Sequence, residues 1–191
     1  MVRRIGFVAA IALATFGGDA KAGLLPVHVG MTTEGDNHRY TYTVQLQSGS
    51  VLKAGDYFTI FDFAGMVGDT NTQPAGFKFS TVVTGPAPAH VHPNDDAMTA
   101  NATWTYKGSE TIGPSNLGEF SLVSRYGITT NDSFTAQTHR EDGLLNSNVT
   151  DTNVPVPTCY QHVPEPSTLL MVIAGLPLAI GLRRLRRSRI A

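Results

Sequence analysis

The sequence predicts an all-β body, an antiparallel β-sandwich over residues 23–146, because three observations agree. Short stretches alternate apolar and polar residues, as in the run from His38 to Leu46. Clusters of Gly, Pro, Asn and Asp separate these stretches. No stretch of the body shows the period of an amphipathic helix. Six or seven short strands in about 120 residues fit a sandwich. The uneven loop lengths make an up-and-down barrel the weaker alternative.

The N-terminus has the three parts of a secretory signal peptide. Two arginines precede an apolar run from Ile5 to Phe16, and a small-x-small triplet with Ala20 and Ala22 follows. The apolar run is too short to span a bilayer as a permanent helix. A buried N-terminal helix of the domain is the less favoured alternative. We predict a signal peptide over residues 1–22, which a signal peptidase recognises at Ala20 and Ala22 and cleaves after Ala22.

Six stretches of the body are predicted to be strands. The stretch Tyr57–Phe63 is aromatic on both faces, which predicts a central strand. In His38–Leu46 the alternation places four large apolar side chains on one face, namely Tyr40, Tyr42, Val44 and Leu46. The other candidates, in chain order, are Phe77–Thr84, Ala102–Tyr106, Phe120–Tyr126 and Ser133–Thr138.

Two segments are rich in metal-binding residue types. On a strand, His90 and His92 would point to one side and could coordinate one metal ion. Asp95 and Asp96 follow closely in the sequence and could supply oxygen ligands. The prolines around them indicate a loop instead, and no third ligand has a recognisable spacing. The second segment, Gly68–Asn71, is rich in side-chain oxygens, and so is Asn94–Asp96 at the end of the first segment. Neither stretch follows the pattern of a calcium-binding loop. We predict turns and no metal site, with calcium left as an alternative.

The body carries no catalytic motif. It has neither a Gly-x-Ser-x-Gly sequence nor an ordered Ser, His and Asp set, and Cys159 lies in a proline-rich stretch. We therefore predict a protein that is not an enzyme and needs no cofactor, with a secreted hydrolase as the disfavoured alternative. Exposed aromatic residues could stack on sugar rings, and the candidates are Tyr57, Trp104 and Tyr106, although core packing explains most of them.

A proline-rich linker is predicted over residues 147–166. Proline fixes its own φ and biases the preceding residue towards extended geometry, which suits neither a helix nor a sheet ladder. Val154–Pro157 has this character, and so do the three residues Pro164, Glu165 and Pro166. An extended, unpaired segment is what a processing enzyme generally requires of its substrate.

The C-terminus is predicted to be a membrane helix followed by a basic tail. Residues 167–182 are almost wholly apolar, with no charge on any face, although Pro177 interrupts them. As a helix they would rise about 24 Å, slightly less than a hydrocarbon core of about 30 Å. Clustered positive charge stays cytoplasmic, so the body would lie on the outer side. The topology-determining residues, within the tail 183–191, are Arg183, Arg184, Arg186, Arg187 and Arg189.

These residues carry a family resemblance. The stretch Val163–Leu169, the single apolar helix and the terminal arginine cluster resemble the PEP-CTERM sorting signal over about residues 163–191. The resemblance implies recognition by an exosortase, an integral membrane enzyme thought to cleave near Pro-Glu-Pro and to release or transfer the body. It also implies a Gram-negative bacterium that makes extracellular polysaccharide. The stretch Leu52–Phe63 resembles, less specifically, exported proteins of the same family.

Charge is distributed unevenly along the chain. Residues 23–163 contain six basic and thirteen acidic side chains, a net charge of −7, whereas the positive charge lies at the two ends. Nucleic acid binding requires clustered Lys and Arg, so we predict no nucleic acid partner.

These features together predict an exported protein, anchored in the membrane before processing and then found at the cell surface or outside the cell. Its expected role is structural or adhesive. The alternative role is a carbohydrate-binding module that holds matrix polysaccharide, with or without the assistance of calcium. A permanent tail-anchored membrane protein is a further alternative, in which the arginine tail persists in the mature product.

Overall fold

The computed structural model describes residues 23–157, which form ten β-strands. The predicted signal peptide, Pro-Glu-Pro motif, apolar helix and arginine tail lie outside the described residues, as does Cys159. Within residues 23–157 no helix has the length and apolar character needed to cross a membrane. The strands are β1 (Leu24–Glu34), β2 (Asn37–Leu46), β3 (Ser50–Leu52), β4 (Tyr57–Ile60), β5 (Phe77–Val82), β6 (Asn101–Tyr106), β7 (Thr111–Ile112), β8 (Ser115–Ser124), β9 (Ile128–Arg140) and β10 (Leu145–Val156).

The strands form two antiparallel sheets. The smaller sheet has the order β1-β2-β8. The larger sheet runs β5-β6-β4-β9, with β9 paired along one edge to β4 and β3 in succession and along the other edge to β10. Strand β7 pairs with β3. The predicted all-β antiparallel sandwich is therefore confirmed for the described residues.

The core lies between the two sheets. The predicted apolar face of β2 is confirmed, because Tyr40, Tyr42, Val44 and Leu46 are all at most 1% exposed. Two of these residues also satisfy their hydroxyl groups inside the fold. Tyr40 Oη donates to the carbonyl of Tyr126, and Tyr42 Oη donates to the carbonyl of Asn153, each at 2.8 Å. Buried tyrosines are stable here because their polar ends are paired.

Aromatic rings join the sheets. Phe58 of β4 lies edge-on to Phe120 of the opposite sheet, with ring centroids 4.9 Å apart. It also stacks between Trp104 and Phe134, at 5.2 and 5.4 Å. Phe77 packs edge-on against the same Phe120, at 4.8 Å. These offset and edge-to-face contacts are the arrangements that aromatic quadrupoles favour.

The predicted strand Tyr57–Phe63 is central, as expected, but ends early. Strand β4 stops at Ile60, and Asp62 has a φ of 53°, which leaves the extended region. Phe61 and Phe63 nevertheless remain fully buried. The sequence pattern did not predict β1, whose register shifts between Pro26 and His28. This bulge interrupts the alternation that identifies a strand.

The predicted linker over residues 147–166 is wrong in its first half. Strand β10 continues to Val156 and pairs with β9 along its whole length. Thr152, Val154 and Val156 are buried, so this segment belongs to the sandwich. Pro155 is tolerated because β10 is an edge strand: it pairs with β9 on one side, and its other side has no neighbouring strand to which an N–H would have to donate. The sandwich therefore continues past the predicted boundary at residue 146, at least to Val156.

Replacing Phe58 with alanine is expected to destabilise the sandwich by about 3–5 kcal/mol, because it removes a buried ring that contacts both sheets. Urea unfolding of the variant and the parent protein measures this change. Val83→Ala is the matched control, since Val83 is 53% exposed and should cost less than about 0.5 kcal/mol. Equal losses in the two variants would contradict the central role of Phe58.

Candidate functional site

A groove of about 310 Å³ opens at the edge of the sandwich where β5 and β8 face each other. We call it the edge groove. Its walls come from both sheets and from the loop over residues 61–76, which we call the bridging loop. Its volume is at the lower end of the range for small-molecule sites, about 300–1,000 Å³. The lining residues are Met66, Val67, Gly68, Asp69, Thr70, Asn71, Phe79, Ser80, Thr81 and Leu122.

The bridging loop is attached to the free edge of β8. The N–H of Val67 donates to the carbonyl of Val123 at 2.8 Å. Thr72 and Ser121 exchange two backbone hydrogen bonds, each of 2.9 Å. The loop thus extends the smaller sheet and covers its edge, which would otherwise leave unpaired backbone groups. Its attachment fixes the wall of the edge groove.

An arginine clamp fixes the same loop from the outer face of the smaller sheet. Arg39 Nε donates to Glu34 Oε1 at 2.6 Å, and Nη2 donates to Oε2 at 3.2 Å. The remaining nitrogen, Nη1, donates to the carbonyl of Thr70 at 3.0 Å and to Ser121 Oγ at 2.9 Å. The hydrogen bonds from Arg39 hold the pKa of Glu34 below its usual value. This bidentate pair orients the guanidinium towards the bridging loop.

The edge groove combines an apolar base with a polar rim. Phe79 is partly buried and lies against Trp104, with centroids 5.2 Å apart, while Leu122 is 1% exposed. Asp69 is exposed at the rim, and Asn71 Nδ2 donates to Gln73 Oε1 at 2.7 Å. An aromatic ring beside carboxylate and amide groups can bind a ligand that has both apolar faces and hydroxyl groups.

The two histidines singled out by sequence do not form a metal site in the described structure. His90 and His92 are exposed in the loop over residues 83–100, which we call the strap. Among residues 23–157, no three His, Cys, Asp or Glu side chains are placed to hold a metal ion. The oxygen-rich segment Gly68–Asn71, in contrast, lies at the edge groove.

The strap covers the outer face of the larger sheet through polar contacts. Thr59 Oγ1 lies 3.1 Å from the carbonyl of Pro86, to which it donates, and 3.0 Å from Thr103 Oγ1. The N–H of Asn94 donates to Ser133 Oγ at 2.9 Å. These threonine and serine side chains are buried on a face that would otherwise be in contact with water. The strap thereby explains why polar residues of β4, β6 and β9 are buried.

Asp62 lies at the centre of the strap's attachment. Both of its carboxylate oxygens accept the N–H of Asp96 at 3.0 Å, and its side chain and backbone together are 7% exposed. Burial raises the pKa of Asp62 to about 6, the Asp96 N–H opposes this rise, and the carboxylates of Asp132, Asp95 and Asp96 add to it. Four acidic groups therefore lie near one another where the strap meets the sheet.

Two of the three aromatic candidates for sugar stacking belong to the core. Trp104 is 0% exposed and Tyr106 is 9% exposed, so neither presents a ring face to solvent. Tyr57 is partly buried on the outer face. The aromatic residue that lines the edge groove is Phe79, which sequence reasoning did not single out. Phe79 lies in a predicted strand, but the strand pattern does not indicate that the residue lines a groove. A groove at a sheet edge depends on contacts between segments that are distant in the sequence.

A histidine–aspartate pair, with the aspartate buried and the histidine partly exposed, lies in another region of the larger sheet. His139 Nδ1 is 3.1 Å from Asp56 Oδ2, which also accepts the N–H of Lys53 at 2.8 Å. Asp56 is 1% exposed, and its N–H donates to the carbonyl of Lys53 at 2.9 Å. The aspartate therefore closes the turn before β4, which is a structural use of the carboxylate.

Comparisons with known proteins do not assign a family. No protein-family model matches the chain. No curated protein matches it either. Among solved structures, the chain is similar to the crystal structure of the GAE domain of GGA2p from Saccharomyces cerevisiae, at 7% sequence identity and a TM-score of 0.33. The similarity covers 66% of this chain and 86% of that chain.

The Asp62→Asn variant is expected to gain stability relative to the parent as the pH rises from about 4 to about 6. The pKa of Asp62 is raised in the folded state, so the parent protein loses stability as this carboxylate ionises, whereas asparagine has no such titration. Asparagine also tolerates the positive φ at this position. Thermal unfolding of both proteins at several pH values measures the difference, and a difference that is independent of pH would contradict it.

Proposed function

We propose that this protein is an exported, non-catalytic β-sandwich that is delivered to the cell surface or extracellular matrix, where it has a structural or adhesive role. A C-terminal sorting signal directs the delivery. The observation that carries this proposal is the order of three parts at the C-terminus, namely Pro164-Glu165-Pro166, an apolar stretch and five arginines. The body of net charge −7 and the signal peptide pattern at residues 1–22 support it.

The end of strand β10 at Val156 supports a processing site beyond the described strands. Strand β10 ends at Val156, and residues 157–163 lie between it and Pro164 in the sequence. Cleavage near Pro164–Pro166 would leave every strand of the described body intact. In the proposed sequence of events, a signal peptidase removes the leader, the apolar stretch holds the precursor in the membrane, and an exosortase-type enzyme cleaves the tail.

Carbohydrate binding is the second candidate function, and the edge groove favours it. The ring of Phe79 provides an apolar surface, and Asp69 and Asn71 provide a carboxylate and an amide for hydroxyl groups. The acidic body disfavours an anionic ligand. The volume of about 310 Å³ suits one sugar residue or the end of a chain rather than a long polymer segment.

The sorting proposal predicts that the mature protein starts at Gly23 and ends near Pro164–Pro166. Intact mass of protein recovered separately from the membrane and the extracellular fraction measures both ends. Glu165→Ala is expected to reduce release of the body and leave a species that retains residues 183–189, because it alters the proposed recognition motif. Glu141→Ala is the matched control, since this exposed carboxylate lies in the body. A parent protein that always retains the arginines would instead support a permanent anchor.

Carbohydrate binding in the edge groove predicts that Phe79→Leu and Asn71→Ala each weaken retention on the organism's matrix polysaccharide by about tenfold, a loss of about 1.4 kcal/mol. The leucine keeps apolar volume against Trp104 but removes the ring. Affinity electrophoresis in polysaccharide gels measures retention, with circular dichroism as the check of folding. Val83→Ala, outside the lining of the groove, should bind like the parent. Unchanged retention in both groove variants would remove the groove from consideration.

A further inference from the structure

The first residue that the structure describes, Gly23, is buried. The carbonyl of Gly23 accepts the N–H of Gln47 at 2.9 Å, and the following residue, Leu24, is 0% exposed. The side chain of Asn148 makes hydrogen bonds with both backbone polar groups of Leu24, its N–H and its carbonyl. Its Nδ2 donates to the Leu24 carbonyl at 2.9 Å, and its Oδ1 accepts the Leu24 N–H at 3.4 Å. The chain is therefore fixed in the sandwich from its first described residue.

Position 23 has no space for a side chain. A Cβ placed there would overlap Thr138 Oγ1 and lie 3.2 Å from both Thr138 Cγ2 and Asn148 Oδ1. Thr138 is 0% exposed on the central strand β9, so it is not free to move aside. The φ of Gly23 is not among the positive values, so the requirement for glycine is one of space. Gly23, Thr138 and Asn148 together form what we call the glycine socket.

The glycine socket contains an oxygen that lacks a partner. Thr138 Oγ1 is buried and makes no hydrogen bond within the described part of the chain. Leaving a buried hydroxyl unpaired costs free energy, and such groups require an explanation. In the continuous chain the Gly23 nitrogen has a single N–H, fixed in direction by the peptide plane, and this N–H is not paired with Thr138 Oγ1.

We propose that Thr138 Oγ1 and Asn148 Oδ1 form a binding site for the α-ammonium group of Gly23 in the processed protein. The proposal rests on the proposed export, because the ammonium arises when the Ala22–Gly23 peptide bond is hydrolysed. Water adds across this bond, Ala22 leaves with the new carboxylate, and Gly23 gains an amine that is protonated at neutral pH. An ammonium group has three N–H donors that rotate about one bond, so it can reach acceptors that the amide does not.

This site links processing to the completion of the fold. Removal of the leader supplies the donor that Thr138 Oγ1 lacks, and it does so at the residue directly before strand β1. The socket also gives glycine a role immediately after the Ala20-Lys21-Ala22 triplet, because any other first residue would overlap Thr138. A protein that begins at Gly23 is therefore more stable than one that retains even one extra residue.

The experiment compares processed proteins purified from cells that express the full chain, with each N-terminus assigned by intact mass. Gly23→Ala is expected to lower Tm by roughly 5–10 °C, because overpacking is costly. Gly30→Ala is the matched control, in strand β1, which begins directly after Gly23. Its Cβ would meet its nearest neighbour, His28 Nε2, at an ordinary 3.5 Å, so Tm should change by less than about 2 °C. Adding Thr138→Ala to Gly23→Ala should recover part of the loss, because it removes the overlapping atoms.

A second variant tests the contribution of the ammonium group to stability separately from the steric overlap at position 23. An alanine inserted between Ala22 and Gly23 moves the new amine one residue away and leaves an amide at Gly23. This insertion is expected to lower Tm by roughly 3–6 °C in the parent and by much less in Thr138→Ala, which has already lost the acceptor. Equal effects of the insertion in both backgrounds, or equal Tm values for Gly23→Ala and Gly30→Ala, would overturn the proposal. Normal export and tail cleavage in those variants would show that the proposed function still stands.

Discussion

The packing of aromatic rings between the sheets is the interaction on which the rest of the structure depends. Phe58 contacts Phe120 across the interface and lies between Trp104 and Phe134 within its own sheet. Burial of apolar surface is the dominant favourable term in folding, and each ring also prefers a defined geometry relative to its neighbours. The rings therefore set both the stability of the sandwich and the relative position of its sheets.

The edge groove follows from this packing. Since Phe79 lies against Trp104 and Leu122 belongs to the opposite sheet, the width of the groove is set by the core. The bridging loop then covers the edge of β8 and is held at Thr70 by Arg39. A site supported in this way has a preformed shape, which reduces the entropy that a ligand must overcome on binding.

The polar residues beneath the strap impose a second constraint on the fold. Their burial lowers stability unless each polar group finds a hydrogen-bond partner. Thr59, Thr103 and Ser133 are buried only because the strap supplies or shares hydrogen bonds with them. Asp62 holds the strap while lying close to other carboxylates, which raises its pKa. The fold accepts this electrostatic cost because the carboxylate of Asp62 accepts the N–H of Asp96 and so fixes the strap on the sheet.

The sequence by itself determined the all-β class, the buried face of β2 and the central position of β4, because period-two alternation and aromatic content are local properties. It also determined the order of parts at the C-terminus on which the proposed delivery depends. Only the tertiary structure decided that Trp104 lies in the core, that Phe79 lines a groove and that β10 continues through Pro155. Those features arise from contacts between segments far apart in the chain, and a proline-rich stretch has no local signal for the free edge that tolerates it.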